Sequence, residues 1–222
     1  MTTPRCSQMT TGLGDMRSSL KEVEGLLSDH LSRREKVLKE SRDVIASCSR
    51  AIISVHGGRL KEAEKLLEGA KSLLEVLKKA GEGPTARYLI PPETELVEAS
   101  TVLALARGRS IPTRSALEAS PEAYLLGLLD TVGELKRLVL ASVMKGDITR
   151  ARRHFASMEE LYSVCSPLAV YDHVVSGARR KIDVARMLVE DTRGFLTEET
   201  RREAVISSME RLQKRLERKG SS

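Results

Sequence analysis

The chain has 222 residues, of which 41% are hydrophobic and 31% charged, so it is long enough to bury a core and too apolar to be disordered. Its longest apolar runs fall far short of the roughly 20 residues that span a bilayer, which excludes a membrane-spanning protein. Residues 1–14 are polar and small and do not resemble a secretory signal. The three cysteines have neither disulfide-framework nor zinc-site spacing, so we expect a protein of the reducing cytoplasm.

The charge of the chain is positive overall and uneven along its length. The net charge is +6, with +4 in residues 1–80, −2 in residues 81–149 and +4 in residues 150–222. A basic balance suits a polyanionic partner, although solvated arginine-rich helix faces produce the same balance. The absence of Trp and the presence of only six aromatic residues disfavour a base-stacking fold. The chain also has no Asn and two Gln, a depletion of thermolabile amides that favours a thermophilic source and that a mesophilic melting temperature would contradict.

The spacing of apolar residues predicts an all-α fold. Apolar residues recur at intervals of three and four along the proline-free stretches 5–83, 122–166 and 168–222. We expect about seven helices in a single domain over residues 15–218, with residues 1–14 disordered and residues 219–222 frayed. The predicted segments are 15–55, 60–80, 93–107, 113–119, 121–145, 147–165, 169–193 and 197–218.

Glycine, proline and capping residues set the predicted helix ends. Glycines are expected to end helices, and Ser120 and Asp147 to cap the helices that follow them. The turn Gly81–Pro84 precedes a short helical piece at Tyr88–Ile90, and Pro91-Pro92 then restarts the chain. The glycines expected to end helices are Gly57-Gly58, Gly146 and Gly194.

Two pairs of acidic residues extend apolar helix stripes instead of lying opposite them. Glu95 and Glu98 are three residues apart, and Asp130 and Glu134 are four apart on a stripe of small residues that includes Gly127. Like charges at this spacing cost a few tenths of a kcal/mol when exposed, and more when desolvated. Mg²⁺ or Mn²⁺, which prefers carboxylate oxygens, is one species that would compensate this repulsion.

A partly solvated groove in which an arginine such as Arg137 pairs with the carboxylates is the other interpretation of this spacing. The four histidines lack metal-ligand spacing and are expected to be surface or capping residues, and no nucleophile has a visible base partner. If the chain is an enzyme, the nucleophile is most simply a metal-activated water. The histidines are His30, His56, His154 and His173.

The same carboxylates lie within motifs that resemble the translin family, and translin-associated factor X in particular. The segment Tyr124–Arg137 is similar to the family pattern YLLG…D..GEL.R, and it is the most specific part of the resemblance. The resemblance covers most of residues 35–196, and the chain looks like an archaeal-type member. Shorter similar patches are Glu95–Ala99, Ser41–Val44, Ala51–His56, Ser142-Val143, Gly146-Asp147 and Arg193–Phe195.

The resemblance implies an all-α fold assembled into a closed, octamer-like homo-oligomeric shell that encloses RNA or single-stranded DNA. In the nuclease branch of the family, acidic residues facing the cavity bind Mg²⁺ and cut RNA. By motif, those residues are Glu95, Glu98 and Asp130, with Glu134 as a fourth. Retention of all four favours the catalytic branch, with Mg²⁺ or Mn²⁺ as the cofactor.

Three functions therefore stay open. The leading hypothesis is a metal-dependent endoribonuclease acting on single-stranded RNA, in which the metal activates water and basic side chains hold the backbone. The arginines expected to contact nucleic acid are Arg42, Arg87 and Arg137. The alternatives are a non-catalytic shell that binds RNA or single-stranded DNA, and a helical scaffold for a protein partner.

Overall fold

The computed structural model describes residues 11–81 and 83–220, and all the regular structure in these residues is helical. The structure also contains two 3-10 helices, Gly83–Leu89 and Ser166–Tyr171. The predicted all-α fold with about seven helices is confirmed. The helices are α1 (Thr11–His56), α2 (Leu60–Ala80), α3 (Ile90–Ala106), α4 (Arg114–Leu117), α5 (Pro121–Met144), α6 (Ile148–Cys165) and α7 (Ala178–Gly220).

Capping residues act as the sequence predicted. The hydroxyl of Ser120 accepts a hydrogen bond from the backbone N–H of Ala123 at 3.3 Å, and the carboxylate of Asp147 accepts one from the backbone N–H of Arg150 at 2.9 Å. The positive φ of 77° at Gly58 fits the end of α1, because glycine adopts this conformation at little steric cost. These caps fix where α5 and α6 begin.

Four predicted boundaries are wrong. Gly194 does not end a helix, because α7 continues through it with Val189, Thr192 and Leu196 buried on its inner face. One glycine costs an exposed helix about 1 kcal/mol, less than the burial of that face provides. Residues 169–177 are not α-helical, and Pro91-Pro92 lies within the first turn of α3, where proline is tolerated. α1 also begins earlier than expected, at Thr11, whereas residues 1–10 with Cys6 lie outside the described residues.

The core is built around α3. This helix contacts α1, α2 and α5, and Leu96, Val97, Ala99 and Val102 are buried on different sides of it. α5 in turn packs on α6 and α7, so α3 and α5 lie between the α1–α2 pair and the α6–α7 pair. Any polar side chain on α3 therefore lies close to buried surface.

Glu93 is an example of such a polar side chain with a structural role. It is 5% exposed, accepts a hydrogen bond from the backbone N–H of Ser120 at 2.8 Å and lies 3.4 Å from the ammonium of Lys78. It therefore ties the start of α5 to α2 and α3. Among the described cysteines, Cys48 and Cys165 are free and buried.

The outer parts of α1 and α7 extend away from the core. Residues 14–36 of α1 are exposed, as are nearly all of residues 201–218 of α7. Both segments nevertheless carry apolar side chains at intervals of three and four. These are Met16, Leu20, Val23 and Leu27 on α1, and Val205, Met209, Leu212 and Leu216 on α7.

No helix in the described part of the chain combines the length and the apolar composition that crossing a membrane requires.

Candidate functional site

The close crossing of α3 and α5 brings the two predicted acidic pairs together. A Cβ at Gly127 would lie 2.6 Å from the carbonyl oxygen of Thr94 and 2.7 Å from the Cβ of Val97, so only glycine allows this approach. Glu98 follows Val97 directly, and Asp130 lies about one turn beyond Gly127. Gly127, on the stripe of small residues, therefore permits the close approach of α3.

Burial and mutual repulsion perturb the two glutamates of α3. Burial, followed by the charge of Asp130, raises the pKa of Glu95. Burial, followed by the charges of Asp130, Glu95 and Glu134, raises the pKa of Glu98 to about 8. These four carboxyl groups, Glu95, Glu98, Asp130 and Glu134, are called the acidic cluster below. Glu98 holds a proton at neutral pH because its charged form is both desolvated and repelled.

Cationic partners bind the two carboxylates of α5. Asp130 forms an ion pair with Lys181 of α7. Glu134, whose side chain is 18% exposed, accepts hydrogen bonds from Nε2–H of His56 and from the guanidinium of Arg137, the latter at 2.8 Å. Burial acts to raise the pKa of Glu134, but the hydrogen bonds from His56 and Arg137 outweigh it and lower the pKa.

Three residues of the site were missed by sequence reasoning. His56 was expected to be a surface or capping residue, Cys48 was considered only as one of the three widely spaced cysteines, and Lys181 was not considered. Cys48 is completely buried in α1, where burial, followed by the charges of Glu95 and Glu98, raises its pKa to about 12. Its thiol is therefore uncharged, and it lies on the α1 side of the acidic cluster. The one available signal was the position of His56 in the last turn of α1, next to a predicted helix end.

A cavity of about 420 Å³ between α5 and α7 reaches the acidic cluster. Asp130 and Lys181 both line it, together with Gly133 and apolar residues of the two helices. Asp130 is 29% exposed, so its ion pair with Lys181 is accessible to solvent-borne ligands. The cluster is therefore half-buried and open on one side.

The donor chemistry of the cluster fits a hard divalent cation, because carboxylate oxygens are the ligands that Mg²⁺ and Mn²⁺ prefer. The arrangement of the side chains is less favourable. Within residues 11–81 and 83–220, no group of three or more His, Cys, Asp or Glu side chains is close enough to hold a metal ion. The ion pairs of Asp130 and Glu134 account for this in part, because they direct two of the four carboxylates towards protein cations.

The three arginines predicted to contact nucleic acid lie in different surroundings. Arg42 is exposed on α1. Arg87 donates a hydrogen bond to the hydroxyl of Tyr88 at 2.8 Å, and Arg34 donates one to the same hydroxyl at 3.1 Å. The hydrogen bonds from Arg87 and Arg34 lower the pKa of Tyr88, and both guanidiniums lie within about 5 Å of its ring centroid (4.9 and 5.2 Å). Arg137 pairs with Glu134, as the salt-bridged interpretation expected.

This all-α fold with an acidic cluster at a helix crossing is similar to several known proteins. The Translin family model matches residues 85–191, which include the whole cluster. An uncharacterized protein of Methanocaldococcus jannaschii is 33% identical over 171 residues, or 76% of this chain and 77% of that protein.

Several solved structures are also similar to this chain. The structure of an AfC3PO–duplex RNA complex aligns with a TM-score of 0.74 at 30% identity, covering 82% of this chain and 96% of that chain. A crystal structure of AfC3PO aligns with a TM-score of 0.70 at 32% identity, covering 86% of this chain and 97% of that chain. Apo-NeC3PO, at 19% identity and a TM-score of 0.68, covers 87% of this chain and all of that chain and shares the fold. The chain belongs to the translin family.

Proposed function

We propose that the chain is an RNA-binding homo-oligomer whose acidic cluster hydrolyses single-stranded RNA with Mg²⁺ or Mn²⁺. The observation that carries this proposal is the acidic cluster itself, four half-buried carboxyl groups in which burial, followed by repulsion, raises the pKa of Glu98 to about 8. Perturbed carboxyl groups beside an open cavity are typical of catalytic sites. The likeness to AfC3PO, which is found in complex with duplex RNA, supports RNA as the ligand.

The residues of the cluster have separate parts in this proposal. A bound Mg²⁺ would neutralise charge on the phosphate and lower the pKa of an attacking water. Glu95 and Glu98 would be its first ligands, because they alone in the cluster have no cationic partner among the described residues. Because its pKa is raised, Glu98 would release a proton when it binds the cation.

Lys181 and Arg137 would change partners when a divalent cation occupies the cluster. Each now neutralises a carboxylate, Asp130 and Glu134 respectively. A divalent cation would take over that neutralisation and leave both side chains free to hold the phosphates of the RNA backbone. Contacts of this kind position the strand without reading its sequence, so we expect weak sequence preference.

Self-association is supported by the apolar residues on the outer segments of α1 and α7. Leu20 and Leu27 are 57% and 62% exposed, and Leu212 and Leu216 are 58% and 61% exposed. Packing against a second copy would remove these side chains from water. Native mass measured alone, with RNA and with single-stranded DNA tests the assembly, the octamer-like count and the binding of either nucleic acid.

The catalytic part is tested by incubating single-stranded RNA with the protein and Mg²⁺. Glu98→Gln and Asp130→Asn keep the shape of the side chain and should each lower cleavage at least about 100-fold. Glu75→Gln changes an exposed glutamate of α2 and should cleave like the wild type. Cleavage that persists in both cluster variants, or in EDTA, would remove the catalytic proposal.

A non-catalytic RNA-binding protein is the second candidate. It is favoured by the ion pairs that occupy Asp130 and Glu134 and by the lack of a metal-binding group among the described residues. In that case the same experiment gives salt-dependent RNA binding by all variants and no Mg²⁺-dependent product.

A further inference from the structure

A cluster of positive charges lies at the C-terminal end of α3, beyond the acidic cluster. A cavity of about 550 Å³ separates the loop after α3 from the first turns of α6. Guanidinium groups from both elements line this space, which is called the basic cavity below. They belong to Arg107, Arg109, Arg150 and Arg153.

Two carboxylates compensate part of this charge. Glu64 of α2 binds Arg107, with 2.8 Å between Oε2 and Nη2, and its other oxygen lies 3.9 Å from Arg109. Asp147 also lines the cavity, but it accepts the backbone N–H of Arg150 as the cap of α6. The four arginines therefore outnumber the carboxylates beside them.

Arg150 and Arg153 remain without an ion pair to any carboxylate of the described residues. Their positive charges repel each other. A guanidinium cannot lose its proton in a protein, so deprotonation cannot relieve this repulsion. The N-terminal end of α6, a helix of 18 residues, adds partial positive charge at the same place. A bound anion would reduce the repulsion between Arg150 and Arg153 and would offset the partial charge at the end of α6.

His154 provides an independent indication of a missing ligand. It lines the basic cavity and is 6% exposed, yet its Nε2 has no hydrogen-bond partner among the described residues. Burial, followed by the charges of Arg150 and Arg153, lowers its pKa, so the ring is neutral at pH 7. Buried polar atoms in proteins are nearly always hydrogen-bonded. Nε2 is covered in the ligand-free chain, so a small rotation of the ring would bring it to a ligand oxygen in the cavity, which would satisfy it.

The basic cavity and the acidic cluster lie on the same side of α3. Leu105 lines the cavity and lies seven residues, about two turns, after Glu98, which places both on one side of the helix. At 1.5 Å per residue, Leu105 lies about 10 Å along the helix axis from Glu98. One nucleic-acid strand is long enough to reach both.

We propose that the basic cavity binds a backbone phosphate of the RNA strand and anchors it about 10 Å along α3 from the acidic cluster. The ligand chemistry is a phosphate diester held by Arg150 and Arg153, with His154 at the base of the cavity. Guanidinium forks match phosphate geometry, which favours a phosphate over a carboxylate or a halide. This inference rests on the proposed RNA binding but not on catalysis.

Fluorescence anisotropy of labelled single-stranded RNA in EDTA, over a range of KCl concentrations, tests the anchor. Arg150→Gln and Arg153→Gln should each weaken binding about five- to tenfold and reduce the slope of log affinity against log salt by about 0.7. Arg152→Gln is the matched control, because Arg152 lies on α6 but donates to Thr200 of α7, away from the cavity. Its affinity and slope should equal those of the wild type.

Nuclear magnetic resonance of the His154 ring separates the possible sources of phosphate. RNA should move the ring signals of the wild type and leave them unmoved in the Arg150→Gln, Arg153→Gln double variant. Movement with inorganic phosphate but not with RNA would overturn the RNA anchor, as would unchanged affinity and slope in both single variants.

The phosphate titration also distinguishes this inference from the proposed function. If the wild type binds no RNA at all, the proposed function fails and the RNA anchor fails with it. Movement of the His154 signals by inorganic phosphate would then support a phosphate site in the same cavity, and unmoved signals would overturn that too. Circular dichroism of each variant confirms that loss of binding does not come from unfolding.

Discussion

The acidic cluster lies at the middle of α3 and the basic cavity at its C-terminal end, and the two respond differently to crowding of like charge. In the acidic cluster, burial and repulsion raise the pKa of Glu98 to about 8, so the cluster reduces its own charge by taking up a proton. Lys181 and Arg137 form ion pairs with the carboxylates of α5, and His56 donates a hydrogen bond to Glu134. The acidic cluster is therefore close to balanced without any ligand.

The basic cavity has no such route to neutrality. Arginine keeps its proton, and the carboxylates of Glu64 and Asp147 compensate only part of the charge. The orphan nitrogen of His154 lies in the same cavity. The difference teaches that a carboxylate cluster alone is weaker support for a bound ion than an arginine cluster, because carboxyl groups can take up a proton and arginines cannot give theirs up.

The largest expected effect concerns the protonation of Glu98. Its pKa is higher in the folded chain, about 8 against an ordinary 4.5, so the folded state keeps a proton that the unfolded state loses. Stability from this group is full below pH 4.5 and is lost as the pH rises towards 8, by up to about 1.4 kcal/mol per pH unit. Glu98→Gln removes this dependence, so the variant should gain stability relative to the wild type as the pH rises.

Urea unfolding of wild type, Glu98→Gln and the exposed control Glu75→Gln at pH 5 to 8 measures this difference. The comparison between chains is needed because His154, with a lowered pKa, affects stability in the opposite direction as the pH falls below 6.5. A constant difference between wild type and Glu98→Gln across this range would show that Glu98 is ionised throughout.

The second effect concerns the helix crossing that assembles the acidic cluster. Gly127→Ala places a Cβ 2.6 Å from a backbone oxygen, so α3 and α5 must separate, at a cost of about 1–3 kcal/mol. The carboxylates move apart with the helices, which should lower the pKa of Glu98. Urea unfolding and the pH dependence of stability measure the two consequences.

Gly133→Ala is the matched control on the same helix. Its Cβ would meet only Leu188, at 3.9 Å, so the better helix propensity of alanine should leave the chain as stable as the wild type or up to about 1 kcal/mol more stable. Equal stability of the two variants would contradict the close crossing at Gly127.

The sequence predicted helices and acidic faces well because both depend on local periodicity. α2 and the caps at Ser120 and Asp147 follow from spacing and capping chemistry, and Glu95, Glu98, Asp130 and Glu134 were found because they interrupt apolar stripes. Gly194 misled the prediction because the buried inner face of α7 outweighs the cost of one glycine.

Contacts between distant helices could not be predicted in the same way. His56 and Glu134 are 78 residues apart, and Lys181 and Asp130 are 51 apart, so these pairs depend on how the helices pack. His154 shows the same limit. It was expected at the surface or at a cap, but α6 buries it, and the prediction was wrong.

The smallest expected effect tests the basic cavity through Asp147, where stability and ligand binding should change in opposite directions. Asp147→Ala removes both the cap of α6 and a negative charge, so unfolding free energy should fall by about 1 kcal/mol while RNA binds more tightly. Asp147→Ser keeps a capping oxygen and removes only the charge, so it should raise RNA affinity with less loss of stability. Urea unfolding and RNA anisotropy measure the two quantities on the same samples. Weaker RNA binding by both variants would mean that Asp147 shapes the cavity more than its charge opposes an anion, and the contrast between the acidic cluster and the basic cavity would then rest on Arg150 and Arg153 alone.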